Sequence, residues 1–392
     1  MIFISSILVS CSTAIYGAFL FYTLWYHSGS ALISSLIYLP MEIIPVFLSP
    51  LVGYHVDKYD KKKIGALSII LSSLLIFFLL ILYSIMLLYI VYFLLILLEY
   101  YFAINYKVSV KIIVGDENLL QANTLYVAGE GVSNLVGFVM GSYIYSFIPM
   151  KTFLLIILFL YLSAYTFWFA VKIRTRINKS CDKINEKIKS KYTEVFKFLN
   201  ENKFILYIII FYDIIVAILI TIDSPAYISL CFKNLKMTAI IYGWYRGLAS
   251  VGFVIVPFLI SKYIKPKNVA KYAIMSLLGE GGIIILMASI PIVIYENVYQ
   301  QVLFILLALI MTYPSTLQYS SFSSIFQQTV PTNILGRFYS IRSIIRGIIG
   351  ITFLLFGGFA ADTISPLFIL YISGIGLFLI TFPIKEVLTN IA

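Results

Sequence analysis

The sequence predicts an all-α polytopic membrane protein with twelve transmembrane helices in two pseudo-symmetric bundles of six. Three observations lead there. Of 392 residues, 61% are hydrophobic and only 11% are charged, less than half the roughly 25% charge of soluble domains. The mean hydropathy is +1.00. A water-facing surface cannot be built from that supply. The apolar residues also come in runs of about 20, the length that a hydrocarbon core roughly 30 Å thick requires of a helix. Finally, one long polar segment, residues 172–203, divides these runs into six and six.

The runs place spans at 3–26, 31–53, 64–82, 86–106, 120–146, 151–171, 204–226, 238–261, 271–294, 299–326, 336–360 and 366–384. Between Lys63 and Glu99 there is no charge at all. That stretch is too long for one crossing, so a turn is expected at Tyr83-Ser84. A transmembrane β-barrel is excluded, because its shorter alternating segments and polar interior are missing.

A net charge of +11 raises the question of a nucleic-acid partner, and its placement answers against one. Lys58, Lys61, Lys62 and Lys63 follow span two, ten Lys and Arg fall in 172–203, and Lys262, Lys265, Lys267 and Lys271 follow span eight. All three segments lie on one side of a twelve-span chain, while the other side has chiefly Lys151, Lys233 and Lys236. The positive-inside rule makes the rich side cytoplasmic, with both termini there and the cell membrane as the expected location. The domain expectation is an N-terminal bundle over 1–171, a basic cytoplasmic linker over 172–203 and a C-terminal bundle over 204–392. Within the linker, Tyr192, Val195, Phe196 and Leu199 have the spacing of a short helix lying on the inner surface.

Cys11, Cys181 and Cys231 fall in a span, the linker and an outer loop, so no disulfide framework is implied. "LVSC" at 8–11 has the form of a lipoprotein cleavage box, but no basic residue precedes it, and the first segment is read as a retained span. The two histidines, His27 and His55, sit at span ends. No nucleophile–base pair or metal-ligand set stands out, so neither an enzyme nor a metal or other cofactor is expected.

The loop after span two, "GYHVDKYDKKKIG" (53–65), reads G-x-x-x-D-K-x-D-K-K-K. In this loop of a split twelve-span chain it resembles the signature of the major facilitator superfamily, with Asp60 where the family pattern has Gly. "DENLLQANTLYVAGEGVSNLVGFVMG" (116–141) resembles the entry into span five of the family's exporter-like members. "VPTNILGRFYSIRSIIRGIIG" (330–350) resembles their loop into span eleven. Departures exist as well: Gly137 is followed by Phe138 where antiporters carry Gly-Pro, span four has Glu99 and no Arg, and "SKYIKPKNVAK" lacks the Gly and Asp of the signature. The resemblance implies two halves that alternate access to a central solute site. It implies also a gating loop made by Gly53, Asp57, Lys58, Lys61 and Lys62 with Arg337, in which Asp57 meets the positive N-terminus of span eleven when the cytoplasmic side is closed.

Ionisable residues inside spans are costly and are functional candidates. Here they are Glu42, Glu99, Glu130, Asp213, Arg246, Glu280, Arg342 and Arg346. Equal distance from a connecting loop places Asp213 and Arg246 at one depth, and Glu99 and Glu130 at another. Asp213 with Arg246, Glu130 with Arg246 and Glu42 with Arg346 all remain open as pairs. Two carboxylates at one depth in a low dielectric disfavour double ionisation, which suits a proton carrier. Glu130 is the first choice, with Glu99 and Glu42 behind it. Glu280 is the least certain, since span nine is usually peripheral in the family and faces lipid or a partner there.

Softer features are the four-spaced glycines Gly137/Gly141 and Gly243/Gly247, suited to close helix contact. Span ten is rich in hydroxyls, with Tyr313, Gln318 and Tyr319 as candidate cavity residues. The leading expectation is a monomeric secondary transporter that exports a small organic solute in exchange for protons or another coupling cation. A cation-coupled importer and a non-transporting sensor of the same fold are the alternatives.

Overall fold

A computed structural model describes residues 1–82, 84–114, 119–171, 195–263 and 269–389, with no strand among them. The first crossings are α1 (Ile2–Ser28), α2 (Ala31–Ser35) continuing through a 3-10 turn at Leu36–Tyr38 into α3 (Leu39–Lys58), α4 (Lys61–Ile81), α5 (Ile85–Val114), α6 (Leu119–Phe147) and α7 (Met150–Phe169). A short α8 covers residues 195–201. The seventh crossing joins α9 (Lys203–Ile208), π-helical turns at Ile209–Val216, α10 (Ala217–Ser229) and further π turns at Leu230–Asn234. Then come α11 (Ala239–Tyr263), α12 (Val269–Val293), α13 (Asn297–Thr329), α14 (Thr332–Thr363) and α15 (Pro366–Thr389). Among the described residues, eleven stretches are long and apolar enough to cross a membrane, and α6, 29 residues long, supplies the twelfth crossing.

Helix ends follow local chemistry. Gly29 adopts a left-handed φ of 62° and donates its N–H to Trp25, closing α1. Ser30 then caps α2 by accepting from the Ile33 N–H, and Asp60 caps α4 by accepting from the Lys63 N–H at 2.9 Å. Several helices outrun the hydropathy boundaries: α5 continues to Val114, α14 begins at Thr332, and the seventh crossing reaches Asn234 rather than residue 226. Hydropathy detects the hydrocarbon core, whereas a helix goes on satisfying its backbone beyond it. Residues 172–194, with Cys181 and Tyr192, lie outside the described residues; α8 buries Val195 and Leu199 and exposes Phe196.

The chain forms two compact units. The first comprises Met1–Gly29, Phe47–Cys181 and Thr238–Val254. Its centre is α1, which packs on α5, α6 and α7. Phe19 stacks on Phe153 at 4.1 Å between ring centroids, and Tyr16 donates its hydroxyl to the Leu88 carbonyl at 2.9 Å. Gly137 and Gly141 of α6 bring that helix against Ala14 and Ala18 of α1. Gly243 and Gly247 of α11 do the same against Ser142, Leu135 and Val139 of α6. Small residues let helix backbones approach where lipid offers no hydrophobic drive. On α4, Gly65 accommodates the buried indole of Trp168, whose Nε1 donates to the Lys62 carbonyl at 3.0 Å.

The second unit comprises Ser30–Val46, Asp182–Met237 and Ile255–Ala392. Here α12 packs on α13 and α15, while α10 packs on α14, α15 and α2. Gly281 of α12 lies against the Gly374 carbonyl of α15. On α14, Gly347 and Gly350 receive Val46 and Glu42 from α3, and Gly358 receives Leu32 from α2.

Gly65→Ala places a methyl group inside the Trp168 ring. Overpacking of this kind costs about 1–3 kcal/mol, so a lowered unfolding temperature in detergent is expected, read with a thiol-reactive dye. An unchanged temperature contradicts the packing described for α4 and α7.

Candidate functional site

Each unit holds its own set of buried polar residues. In the second unit Asp213 lies in the π-helical turns between α9 and α10, with 0% exposure. Such turns displace side chains from the regular α-helical register and recur at functional sites. Arg342 of α14 donates from Nε and Nη2 to the two Asp213 carboxylate oxygens at 2.5 and 2.7 Å. This bidentate fork satisfies both charges. The Arg342 guanidinium also covers the Phe326 ring at 3.8 Å. The equal depth of Asp213 and Arg246 left their pairing open as one of several. The structure instead gives Asp213 to Arg342, because loop distance reports depth and carries no information on which helices are neighbours. Arg246 lies 5.0 Å from the Phe138 ring centroid.

One turn beyond Arg342, Arg346 lies 5.9 Å from the centroid of Tyr212, which stacks on Phe322 at 3.6 Å. Arg346 is close enough to Glu42 to act on it electrostatically, and the Glu42 carboxylate rests on the bare backbone of Gly350. Glu42 and Arg346 thus lie within electrostatic reach of each other in this unit, without a direct ion pair among the described residues.

Glu280 is 3% exposed. It is buried between helices rather than directed to lipid, since Gly281 beside it draws α15 close. Ser315 donates to its Oε1 at 2.8 Å, while Oε2 has no hydrogen-bond partner among the described residues. Gln318 is buried with its Nε2 likewise unmatched. Tyr313 lies on the exposed apolar stripe of α13 with Val302, Leu306 and Ile310, and Tyr319 is also exposed.

In the first unit, Glu99 of α5 is half-buried beside the Ser10 and Thr13 hydroxyls of α1. Glu130 of α6 is exposed, near enough to Glu99 to act on it electrostatically, and adjoins the Tyr126 hydroxyl. Thr13 shares a hydrogen bond with Tyr161 at 2.9 Å. The two carboxylates thus lie within electrostatic reach of each other, each beside hydroxyl groups.

The loop between α3 and α4 divides its lysines. Lys61 is buried, and its Nζ donates to the Val56 and Tyr59 carbonyls, countering the negative end of α3. Its own carbonyl accepts from Asn105 at 2.8 Å. Lys62 lies 4.8 Å from the Phe169 ring centroid. The surroundings of Gly53, Asp57 and Arg337 lie outside the described residues.

Sequence reading missed Asp362, near the end of α14. Its carboxylate accepts from Ser30 Oγ at 2.5 Å, from the Ala31 and Leu32 N–H groups at 2.9 and 3.1 Å, and from Lys233 Nζ at 2.9 Å. It thereby binds the start of α2, the end of the seventh crossing and α14 at one point. A carboxylate at a span end looks like an ordinary loop residue, and only the bare N–H groups of α2 mark it as a cap.

Helix crossings with a buried ion pair and glycine-lined helix contacts define a polytopic membrane protein. A profile of the Major Facilitator Superfamily matches residues 2–353, and the chain belongs to that family; it is a secondary transporter, not an enzyme. Among solved structures it is similar to the nucleoside transporter NupG, at 15% identity and a TM-score of 0.68 over 98% of both chains. It is also similar to a bacterial homologue of the iron transporter ferroportin in an inward-facing state, at 12% identity and 0.70, covering 99% of this chain and 97% of that one. A POT family transporter in complex with a thioalcohol-conjugated peptide gives 11% identity and 0.74, covering 100% and 96%. No curated protein matches in sequence.

Asp213→Asn leaves the Arg342 guanidinium buried without its counter-charge, and breaking such a pair costs about 3–5 kcal/mol. The expected outcome is a large fall in unfolding temperature. Replacing Arg342 by Met as well, so that no lone charge remains, is expected to restore part of it. Equal stability of Asp213→Asn and the parent protein excludes a buried ion pair.

Proposed function

We propose that this transporter exports a small organic solute in exchange for protons, with the Glu99–Glu130 pair as the proton-carrying site. The observation that carries the reading is the electrostatic reach of these two carboxylates to one another, with the hydroxyls of Ser10, Thr13, Tyr126 and Tyr161 around them. Two like charges in a medium of low dielectric bind a proton between them more readily than either does alone. Glu130 is exposed, so it can exchange a proton with water, whereas Glu99 lies deeper. The resemblance of 116–141 and 330–350 to exporter-like members points in the same direction. The similar structures name substrates as different as nucleosides, iron and peptides, so the solute of this chain has to come from assay.

Gating belongs to the same proposal. Asp57 stands at one end of the second crossing, where it would meet α14 in the state closed on that side. At the other end of that crossing, the Asp362 cluster holds α2 to α14 and to Lys233. A contact made in only one state biases the equilibrium toward that state. The two halves, 1–171 and 204–392, would alternate as these contacts exchange.

Proteoliposomes loaded with a pH-sensitive dye test the reading with a panel of lipophilic cations, sugars and amino acids. Proton movement opposite to an added solute is expected, with loss of uphill transport in Glu130→Gln and retained downhill exchange. Co-directional movement marks an importer instead, and uphill transport by Glu130→Gln removes Glu130 as the carrier. Asp57→Asn is expected to slow transport while leaving insertion and folding intact, and an unchanged rate discards the gating role of that carboxylate.

A further inference from the structure

Arg342, Arg346 and Gly350 follow one another at single turns and share one face of α14. Arg342 is closed onto Asp213 by two hydrogen bonds. The Arg346 guanidinium, by contrast, has no hydrogen bond or ion pair among the described residues. It lies beside the Tyr212 ring, 5.9 Å from the centroid. That ring stacks on Phe322 at 3.6 Å, and both are buried, so the wall beside Arg346 is fixed. The other charges within reach of Tyr212 are already engaged: Asp213 and Arg342 satisfy each other, and Glu280 accepts from Ser315.

Glu42 faces this group from α3. A Cβ added at Gly350 would fall 2.5 Å from Glu42 Oε2, so the bare glycine is what leaves room for the carboxylate against α14. Glu42 likewise has no hydrogen bond or ion pair among the described residues, while it lies within electrostatic reach of Arg346. Both side chains are half-buried and belong to apolar crossings.

A charge in hydrocarbon needs a partner, and the fork at Arg342 shows that α14 permits a pair to close. Glu42 and Arg346 stand apart instead, each keeping its hydrogen-bonding capacity. What fits between them is a molecule that carries the same two charges in the opposite order. Its carboxylate takes the guanidinium in a bidentate contact of about 2.7–2.9 Å, and its ammonium takes the Glu42 carboxylate. A simple anion is repelled by Glu42 and a simple cation by Arg346, so the pair selects against both.

We propose that Glu42 and Arg346 form a binding site for a zwitterionic solute of the α-amino-acid class, with its carboxylate on Arg346 and its ammonium on Glu42. Taking this solute as the cargo rests on the exchange reading above, whereas its binding does not.

The test is binding to the purified full-length protein in detergent, read by calorimetry and by the shift in unfolding temperature. Glycine, L-leucine and L-phenylalanine are the probes. Each is compared with its amide, which lacks the carboxylate, and its des-amino acid, which lacks the ammonium. At least one of the three is expected to bind about tenfold or more tightly than both of its analogues, because each analogue leaves one charge of the site unanswered. Glu42→Gln is expected to abolish the advantage over the des-amino acid and keep that over the amide. Arg346→Gln is expected to do the reverse. Should either variant lose its single elution peak, the other decides, and the analogue series on the parent protein stands without them. No binding by any of the three, equal binding of an amide or des-amino acid, or unchanged selectivity in the folded variants overturns the proposal. Zwitterion binding without proton movement in proteoliposomes removes the exchange reading and supports this site. Proton-coupled movement of a lipophilic cation without zwitterion binding does the opposite.

Discussion

In hydrocarbon no water completes an unmet hydrogen bond or solvates a lone charge, so each backbone group and each ion must find its partner within the chain. Asp213 and Arg342 meet that demand in its strictest form. The carboxylate has no exposure, and both of its oxygens are taken by one guanidinium. The pair ties the π-helical turns of the seventh crossing to α14. The same helix carries Arg346 toward Glu42 and ends in Asp362. Much of the polar chemistry of the second unit thus hangs on α14, and the glycines of that helix set how closely its partners approach.

The first unit answers the demand differently. Glu99 and Glu130 share a setting of Ser, Thr and Tyr hydroxyls, which can donate to a carboxylate or accept from a carboxylic acid. A guanidinium can only donate, so the Asp213–Arg342 pair is suited to one fixed state of charge. Hydroxyls suit a group whose proton comes and goes. This contrast between the two units supports the proposal of a proton-carrying step at Glu99 and Glu130, while Asp213 is held in a fixed pair with Arg342.

Loop lysines illustrate how one sequence feature separates into several functions. As a row of charges, Lys58, Lys61, Lys62 and Lys63 are equivalent topological determinants. Folded, Lys61 neutralises the carbonyl end of α3 and receives Asn105 on its own carbonyl, and Lys62 is held by Phe169 and Trp168. Lys58 and Lys63 line a cavity beside the exposed apolar stripe of α4. Helical periodicity combined with the neighbours of α4 makes the division.

The crossings, the all-α class, the family and the list of intramembrane charges were legible in the sequence, because hydropathy and the cost of a charge in hydrocarbon act locally along the chain. Gly243 and Gly247 were also legible as a contact face, since four-residue spacing is a property of one helix. Which charges meet was not. Asp213 was placed level with Arg246 by distance from a loop, yet it binds Arg342, 129 residues away. Asp362 passed unnoticed because its partners, the opening amides of α2, have no side-chain signature. Glu280 resembled a peripheral residue until Gly281 and Gly374 drew α12 and α15 together over it. Depth follows from a single helix, whereas pairing needs the azimuth of every helix about its axis, and that is decided only when all of them pack.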